Sequence, residues 1–432
     1  AGDGFDEETF SGGVTNTQLE SPDASKVSFE KLAGKPSVKV EWPVIMGAGG
    51  YLFSMYIVDD PTNPVAVVKD SIIDGCSVAC TYLDDTNYKV EIKTLGNDKY
   101  NNKDAASVSE VTWSTLVPAT TIPAGTDLNT YFENNPITSG KDVEVAYELE
   151  AGGSYTISGD LNLGVNNVQL RGNKVNHAKV TFTGSGAIVS SGGGMALKFI
   201  DFDCDVVSKG SFVKFGDVPE EIKGMNSYGI VTNPMIIQSC EIRNVRHYLV
   251  NINGKKYAIQ NFIVRDCLIK FYQDAEIFNF NSNSSFVKDF ELSSSTLYNL
   301  SEASNGRFMR VAGGKGADVG WADCSMNFTS NTFYNISCDQ EAFNSNVWNR
   351  QKNTVNLSKN IFYDSCKGEF NRRIVGGRTD NAKTRGLGDV YKRQVLIMPK
   401  HVTIIAIGIK VEVVLKKKLM VIMVIKVLQL MA

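Results

Sequence analysis

Residues 330–334 read Ser330-Asn331-Thr332-Phe333-Tyr334, and residues 359–363 read Lys359-Asn360-Ile361-Phe362-Tyr363. The same short pattern occurs at Gln238-Ser-Cys-Glu-Ile242, Arg265-Asp-Cys-Leu-Ile269 and Ser294-Ser-Thr-Leu-Tyr298. Its third residues fall at 240, 267, 296, 332 and 361, at intervals of 27, 29, 36 and 29, and Phe199-Ile-Asp-Phe202 is an earlier copy. A period of roughly 25–35 residues signals a stacked repeat. Each copy consists of short strands with Asn, Ser and Gly corners. None sustains a helical period, which argues against ankyrin, tetratricopeptide and leucine-rich solenoids. A propeller blade needs about 40 residues. The remaining solution is a parallel β-helix, in which equivalent apolar residues stack inward and equivalent Asn or Ser residues stack at corners. Asn is expected to supply the left-handed backbone of those corners.

Working outward, Tyr147-Glu-Leu, Tyr155-Thr-Ile, Leu161-Asn-Leu and Val168-Gln-Leu mark the first coils, so the solenoid is assigned to residues 141–384. Asp127 to Asn135 reads as a short helix capped by Asp127 and stopped by Pro136. It would cover the first coil, within a linker spanning 117–140. Residues 24–116 hold several short alternating runs, including Ser37 to Trp42 and Tyr88-Lys-Val-Glu-Ile92, separated by Gly, Asp and Pro. That spacing predicts a β-sandwich. Residues 1–23 are acidic and Gly-rich and read as a flexible spacer, beginning at Ala1 without a leader.

The C-terminal stretch changes character. Arg385 to Gln394, RGLGDVYKRQ, matches the translation of a transposase adapter used in sequencing libraries. The residues beyond it are almost entirely Val, Ile, Leu, Met and Lys. Residues 385–432 are therefore read as an adapter and out-of-frame artefact, and the β-helix as C-terminally truncated. No apolar run there reaches the roughly 18 residues of a membrane span before a Lys interrupts it. The whole chain has 44 basic and 47 acidic residues, and without 385–432 it has 35 against 45, a net charge of −10. That gives no basis for nucleic-acid binding. The eight cysteines form no C-x-x-C pair and are read mostly as buried free thiols.

Trp42 and the stretch Leu83-Asp-Asp-Thr-Asn-Tyr88-Lys-Val90-Glu-Ile92 resemble a fibronectin type III domain, with Leu83 and Tyr88 framing a tyrosine corner. The loop is one residue shorter than usual and lacks its usual Pro. Together with Glu150-Ala-Gly-Gly-Ser-Tyr155-Thr-Ile and Asn331-Thr-Phe-Tyr-Asn335, the chain from about residue 5 to 384 resembles a group of Bacteroidetes envelope lipoproteins of unknown function. These pair a fibronectin-like domain with a pectate-lyase-like right-handed β-helix, a single-stranded solenoid. The resemblance implies an all-β protein on the outer-membrane surface or in the periplasm. Membrane attachment would come only through a lipid anchor outside this sequence. The partner implied is a polysaccharide, with uronate-containing polymers among the candidates.

A lyase on this fold needs a basic proton acceptor and carboxylates holding calcium, and a glycoside hydrolase needs paired carboxylates. The pectate lyase signatures, an Asp-His pair after a Trp and an Arg-x-Pro-x-x-Arg run, are absent, as are Asn-x-Asp and Asp-Asp pairs in the solenoid. No cofactor is evident, and calcium enters only if the chain is a lyase. The expectation is glycan binding along a β-helix face, where Arg pairs with carboxylates and aromatic rings stack on sugars. The candidates are Arg243, Arg246, His247, Arg265, Lys270, Arg310, Trp321, Trp348 and Arg373. Arg310 and Arg373 stand at matching places in Met309-Arg-Val-Ala-Gly-Gly314 and Arg372-Arg-Ile-Val-Gly-Gly377, two coils apart. A divergent lyase or hydrolase and a structural adhesin or spacer are the alternatives.

Overall fold

The structure is a computed structural model that describes residues 12–204, 210–252, 254–272, 274–280, 285–301, 306–311, 313–321, 324–336, 354–363, 365, 395–398 and 403–405. The chain divides into two compact units, Ala1–Pro118 and Ala119–Ala432.

The first unit is a β-sandwich. Strands Ser28–Lys31, Ser37–Glu41 and Ser77–Thr81 form one antiparallel sheet. Val65–Ile73, Gly50–Ile57, Asn87–Leu95 and Ser109–Ser114, in that spatial order, form the other. Asn87–Leu95 alternates strictly between buried and half-buried positions, so Tyr88, Val90 and Ile92 meet Val38, Val40, Trp42, Phe53 and Met55 in the core. Burial of these faces supplies the driving force. The expected corner is present: the Tyr88 hydroxyl accepts the Leu83 N–H at 2.7 Å. The spacer expectation for residues 1–23 needs correction at its C-terminal part. Asn16 N–H donates to the Tyr100 carbonyl and Leu19 N–H to the Lys103 carbonyl, both at 3.0 Å, while Leu19 is buried. One apolar anchor and a backbone ladder are enough to hold a stretch whose composition alone looks solvated.

The second unit is a parallel β-helix of three sheets. The first runs from Ala119–Ile122 through Glu144–Leu149 to Thr354–Ser358. The second runs from Ser154–Ile157 through Ile361–Tyr363 to Val395–Met398 and Thr403–Ile405. The third, among the described residues, has six strands, Leu161–Gly164 to Met309–Arg310. Because Ala119–Ile122 pairs in parallel with Glu144–Leu149, the solenoid begins inside the stretch read as linker, not at 141. The helix is Leu128–Asn134, and Asp127 accepts from the Thr130 N–H at 3.0 Å. Leu128 is buried and Tyr131 and Phe132 pack on the core. Among the described residues no helix is long and apolar enough to cross a membrane.

The repeat of the sequence is one corner of this helix, between the first and second sheets. Phe199, Ser239, Asp266, Ser294, Ser330 and Lys359 all have left-handed backbone, with φ between 49° and 59°. The residue that follows each points inward. At this corner the left-handed residue is the one before the Asn, and Asn331 and Asn360 are the buried residues behind it, whereas Asn244 and Asn335 do take the left-handed conformation expected of Asn, with φ of 61° and 53°. The Asn331 Oδ1 accepts the Ser295 N–H at 3.0 Å, and its Nδ2 donates to the Leu292 carbonyl at 2.7 Å. Asn360 repeats both bonds one coil on, accepting from Asn331 N–H at 3.0 Å and donating to the Phe328 carbonyl at 2.8 Å. Strand register also shifts one alignment. Thr296 pairs with Leu268, so Ser295 is the equivalent of Cys267. Cys240 and Cys267 fill this corner in earlier coils, and both are free, buried thiols. Burial pushes the Cys267 thiol up to about 12, which leaves it unreactive as a nucleophile.

Candidate functional site

Alternation along each strand of the second sheet turns one set of side chains outward. In register across successive coils, Lys179 stands beside Asp201, Asp201 beside Glu241, and Asp203 beside Arg243. Further along the same face, Lys270 neighbours Tyr298, which neighbours Tyr334. The His177 Nδ1 is 2.9 Å from the Asp201 Oδ1. Lys270 Nζ lies 3.4 Å from the Glu241 Oε1 and 5.7 Å from the centre of the Tyr298 ring. Burial disfavours the Lys270 charge, but the Tyr298 hydroxyl and Glu241 outweigh it and hold the ammonium above its ordinary range.

Beside this face runs a polar cleft of about 790 Å³, along the corner between the first and second sheets. Its walls come from five successive coils: Asn176 and His177, then Asp201, Glu241, Asp266 and Thr296. At about 4.8 Å between neighbouring strands, five coils make a track about 19 Å long. Lys174, Lys179 and His177 face Asp201, Glu241 and Asp266, so the lining is of mixed charge.

The residues expected from sequence are spread over all three sheets. Arg243 and Lys270 are on the outer face of the second. Arg246 lies past the end of that strand, its guanidinium 4.7 Å from the centre of the Tyr272 ring. The His247 Nδ1 is 2.8 Å from the Asp274 Oδ1. Arg265 ends a strand of the first sheet and grips Glu291 with two bonds of 3.0 and 3.3 Å. Burial raises the Glu291 carboxyl, but Arg265 and Ser293 outweigh it and hold it below its ordinary value. Arg310 is on the third sheet, 3.5 Å from Glu276. Trp321 packs against the core, edge-on to Phe286 at 5.7 Å. Trp348 and Arg373 lie outside the described residues, and with them the proposed Arg310–Arg373 equivalence.

A single basic groove is therefore not what the described residues build. Arg265 and Lys270 are five positions apart, yet a corner between them sends one to the first sheet and the other to the second. Arg243, His247, Arg265, Lys270 and Arg310 each have a carboxylate within 4.0 Å. Sequence reasoning missed Asp201, Asp203 and Glu241, which come together only through stacking of adjacent coils. The signal was present: Phe199 and Ser239 are equivalent corners, and counting two residues on from each aligns Asp201 with Glu241.

Two family models match the chain, both for domains of unknown function: DUF4992 over residues 2–152 and DUF4957 over residues 153–300. Their boundary falls inside the solenoid, between Glu144–Leu149 and Ser154–Ile157, not at the division after Pro118. No curated protein matches. Among solved structures, the chain is similar to pectate lyase PelI from Erwinia chrysanthemi in complex with tetragalacturonic acid. The identity is 8%, covering 89% of this chain and 94% of that one, with a TM-score of 0.23. It is also similar to a family 28 exopolygalacturonase from Yersinia enterocolitica, at 10% identity over 80% and 96% of the two chains and a TM-score of 0.16. A structure titled FN3tt mut is similar at 16% identity, over 22% of this chain and 96% of that one, with a TM-score of 0.16.

Proposed function

We propose that the protein is a polysaccharide-binding protein of the cell envelope. In this reading the β-helix presents the binding face, and the sandwich serves as a fibronectin type III-like spacer between it and a lipid anchor preceding Ala1. The observation that carries the reading is the cleft across five coils. A parallel β-helix repeats its polar groups at a fixed spacing, and a ligand that fills an elongated, regularly spaced track is itself a repeating chain. The mixed lining favours a neutral glycan, whose hydroxyls both donate and accept. A uronate polymer would meet the carboxylates of Asp201, Glu241 and Asp266, and the cations on the neighbouring faces are already paired.

Electrophoresis of the full chain through gels containing neutral glucans, galactans and mannans, with polygalacturonate alongside, tests this. Retardation is expected in at least one neutral polymer, and Glu241→Ala should abolish most of it. Unretarded migration in every polymer would sink the proposal. The neighbouring Asp201 and Glu241 also favour a second reading, glycoside hydrolysis, which uses paired carboxylates. Release of new reducing ends, lost in Asp201→Asn, would establish it.

A further inference from the structure

We propose that His177, Asp201 and Lys179, at one end of the cleft, form a hydrolytic site for O-acyl esters carried on a neutral glycan. The proposal rests on the polysaccharide reading above for its polymer. It adds a reaction, and it gives roles to His177 and Lys179, which the binding reading does not use. His177 and Lys179 lie two residues apart at the start of the second-sheet strand Ala178–Phe182, and Asp201 stands opposite Lys179 on the next strand. All three line the cleft. The His177 and Asp201 side chains are 26% and 25% exposed, so both are open to solvent and ligand. Their Nδ1 and Oδ1 atoms are 2.9 Å apart. His177 belongs to the first of the five coils, so a chain held along the track over Glu241 and Asp266 runs past the pair.

An ionised carboxylate only accepts, so the contact with Asp201 places the ring hydrogen of a neutral His177 on Nδ1 and leaves a lone pair on Nε2. That Nε2 has no hydrogen-bond partner among the described residues. The exposed Lys179 ammonium has no ion pair among them either. An imidazole oriented by a carboxylate, with an unpaired cation beside that carboxylate, suits attack of water on a carbonyl. His177 Nε2 takes a proton from water as the water oxygen bonds to the acyl carbon, and Lys179 stabilises the oxyanion that forms. The tetrahedral species then breaks its bond to the sugar oxygen, which takes that proton from the imidazolium. Acyl ester and water become a carboxylic acid and a free sugar hydroxyl, with no further reactant. A neutral imidazole takes up a proton and does not supply one, so it suits this step and not protonation of a glycosidic oxygen. Abstraction of a proton beside a uronate carboxylate would bring that charge against Asp201, Glu241 and Asp266. His247 and Asp274 make the same pair at 2.8 Å, but neither lines the cleft.

Acetate release by the full chain from acetylated glucomannan and acetylated xylan, with 4-nitrophenyl acetate as a small probe, tests the site. Acetate is expected from at least one of the glycans, without new reducing ends. His177→Ala should lower turnover about 100-fold or more, and free imidazole should restore part of it. Lys179→Met should lower it about tenfold or more. Asp201 is a positioning residue, so Asp201→Asn should lower kcat for 4-nitrophenyl acetate and leave its KM unchanged. His247→Gln, which breaks the pair outside the cleft, should leave turnover unchanged. The small probe needs no glycan binding. His177-dependent turnover of it, with no polymer retarded in gels, would sink the binding reading and leave the ester site standing. Retardation by a neutral polymer, with no His177-dependent acetate release from any of the three substrates, overturns the ester site and leaves the binding reading intact. Acetate release undiminished in both His177→Ala and Lys179→Met overturns it as well.

Discussion

Ser294 and Asn331 show how two small polar residues divide one corner. Ser294 is exposed at φ 49°, a conformation that costs a side-chain-bearing residue about 1 kcal/mol and glycine almost nothing. Ser294→Gly should therefore raise stability by about 0.5–1 kcal/mol in urea unfolding, and Ser294→Val should lower it. Asn331 is the opposite case. Its side chain satisfies the Ser295 N–H and the Leu292 carbonyl inside the coil. Asn331→Ala leaves both groups buried and unpaired, at about 1–3 kcal/mol each, so a loss of about 3 kcal/mol is expected in the same measurement. The sequence displays the polar corner plainly. It cannot say which of two adjacent polar residues carries the backbone strain and which carries the hydrogen bonds, because that depends on a register fixed by the neighbouring coils.

Among elements, the cap over the first coil was legible in full: an Asp, seven helical residues and a Pro. Its start matched because capping chemistry is local. Burial of the Asp127 carboxyl works against its charge, but bonds from Thr130, Thr156 and Ser158 outweigh this and hold it below its ordinary value of 3.8. A carboxyl depressed in the folded state contributes stability above the unfolded value and loses it as pH falls through the folded one. The Asp127 contribution is thus expected to be complete at neutral pH, to decline as pH falls below about 3.8 and to vanish only below the depressed folded value. Asp127→Ala should cost about 1 kcal/mol at pH 7 and progressively less as pH is lowered below about 3.8, read as thermal melting across that series. The strand Ala119–Ile122 was not legible as part of the solenoid. Four residues carry too little periodicity to distinguish a first coil from a linker, and only pairing with Glu144–Leu149 decides it.

At the scale of the whole molecule, the site was harder to read than the fold for a physical reason. A solenoid places residues about 25–35 positions apart side by side and sends residues five apart to different faces. The sequence cluster Arg243 to Asp274 is therefore divided: Arg265 goes to the first sheet, while His247 meets Asp274 one coil on, just as Asp201 meets Glu241. The fold needs only the period, whereas the site needs the register.

The same arrangement fixes how the chain should unfold. The sandwich core around Trp42, Phe53 and Tyr88 and the solenoid core share no residue. Solenoid stability is close to a sum over neighbouring coils, so it is insensitive to a change outside those coils. Calorimetry should accordingly resolve two transitions. Tyr88→Phe removes the acceptor for the Leu83 N–H and, at about 1 kcal/mol for one such bond, should lower the midpoint of one transition by several degrees. Asn331→Ala should lower only the other. If either variant shifted both transitions equally, the two units would be one cooperative body, and the division after Pro118 would have no thermodynamic meaning.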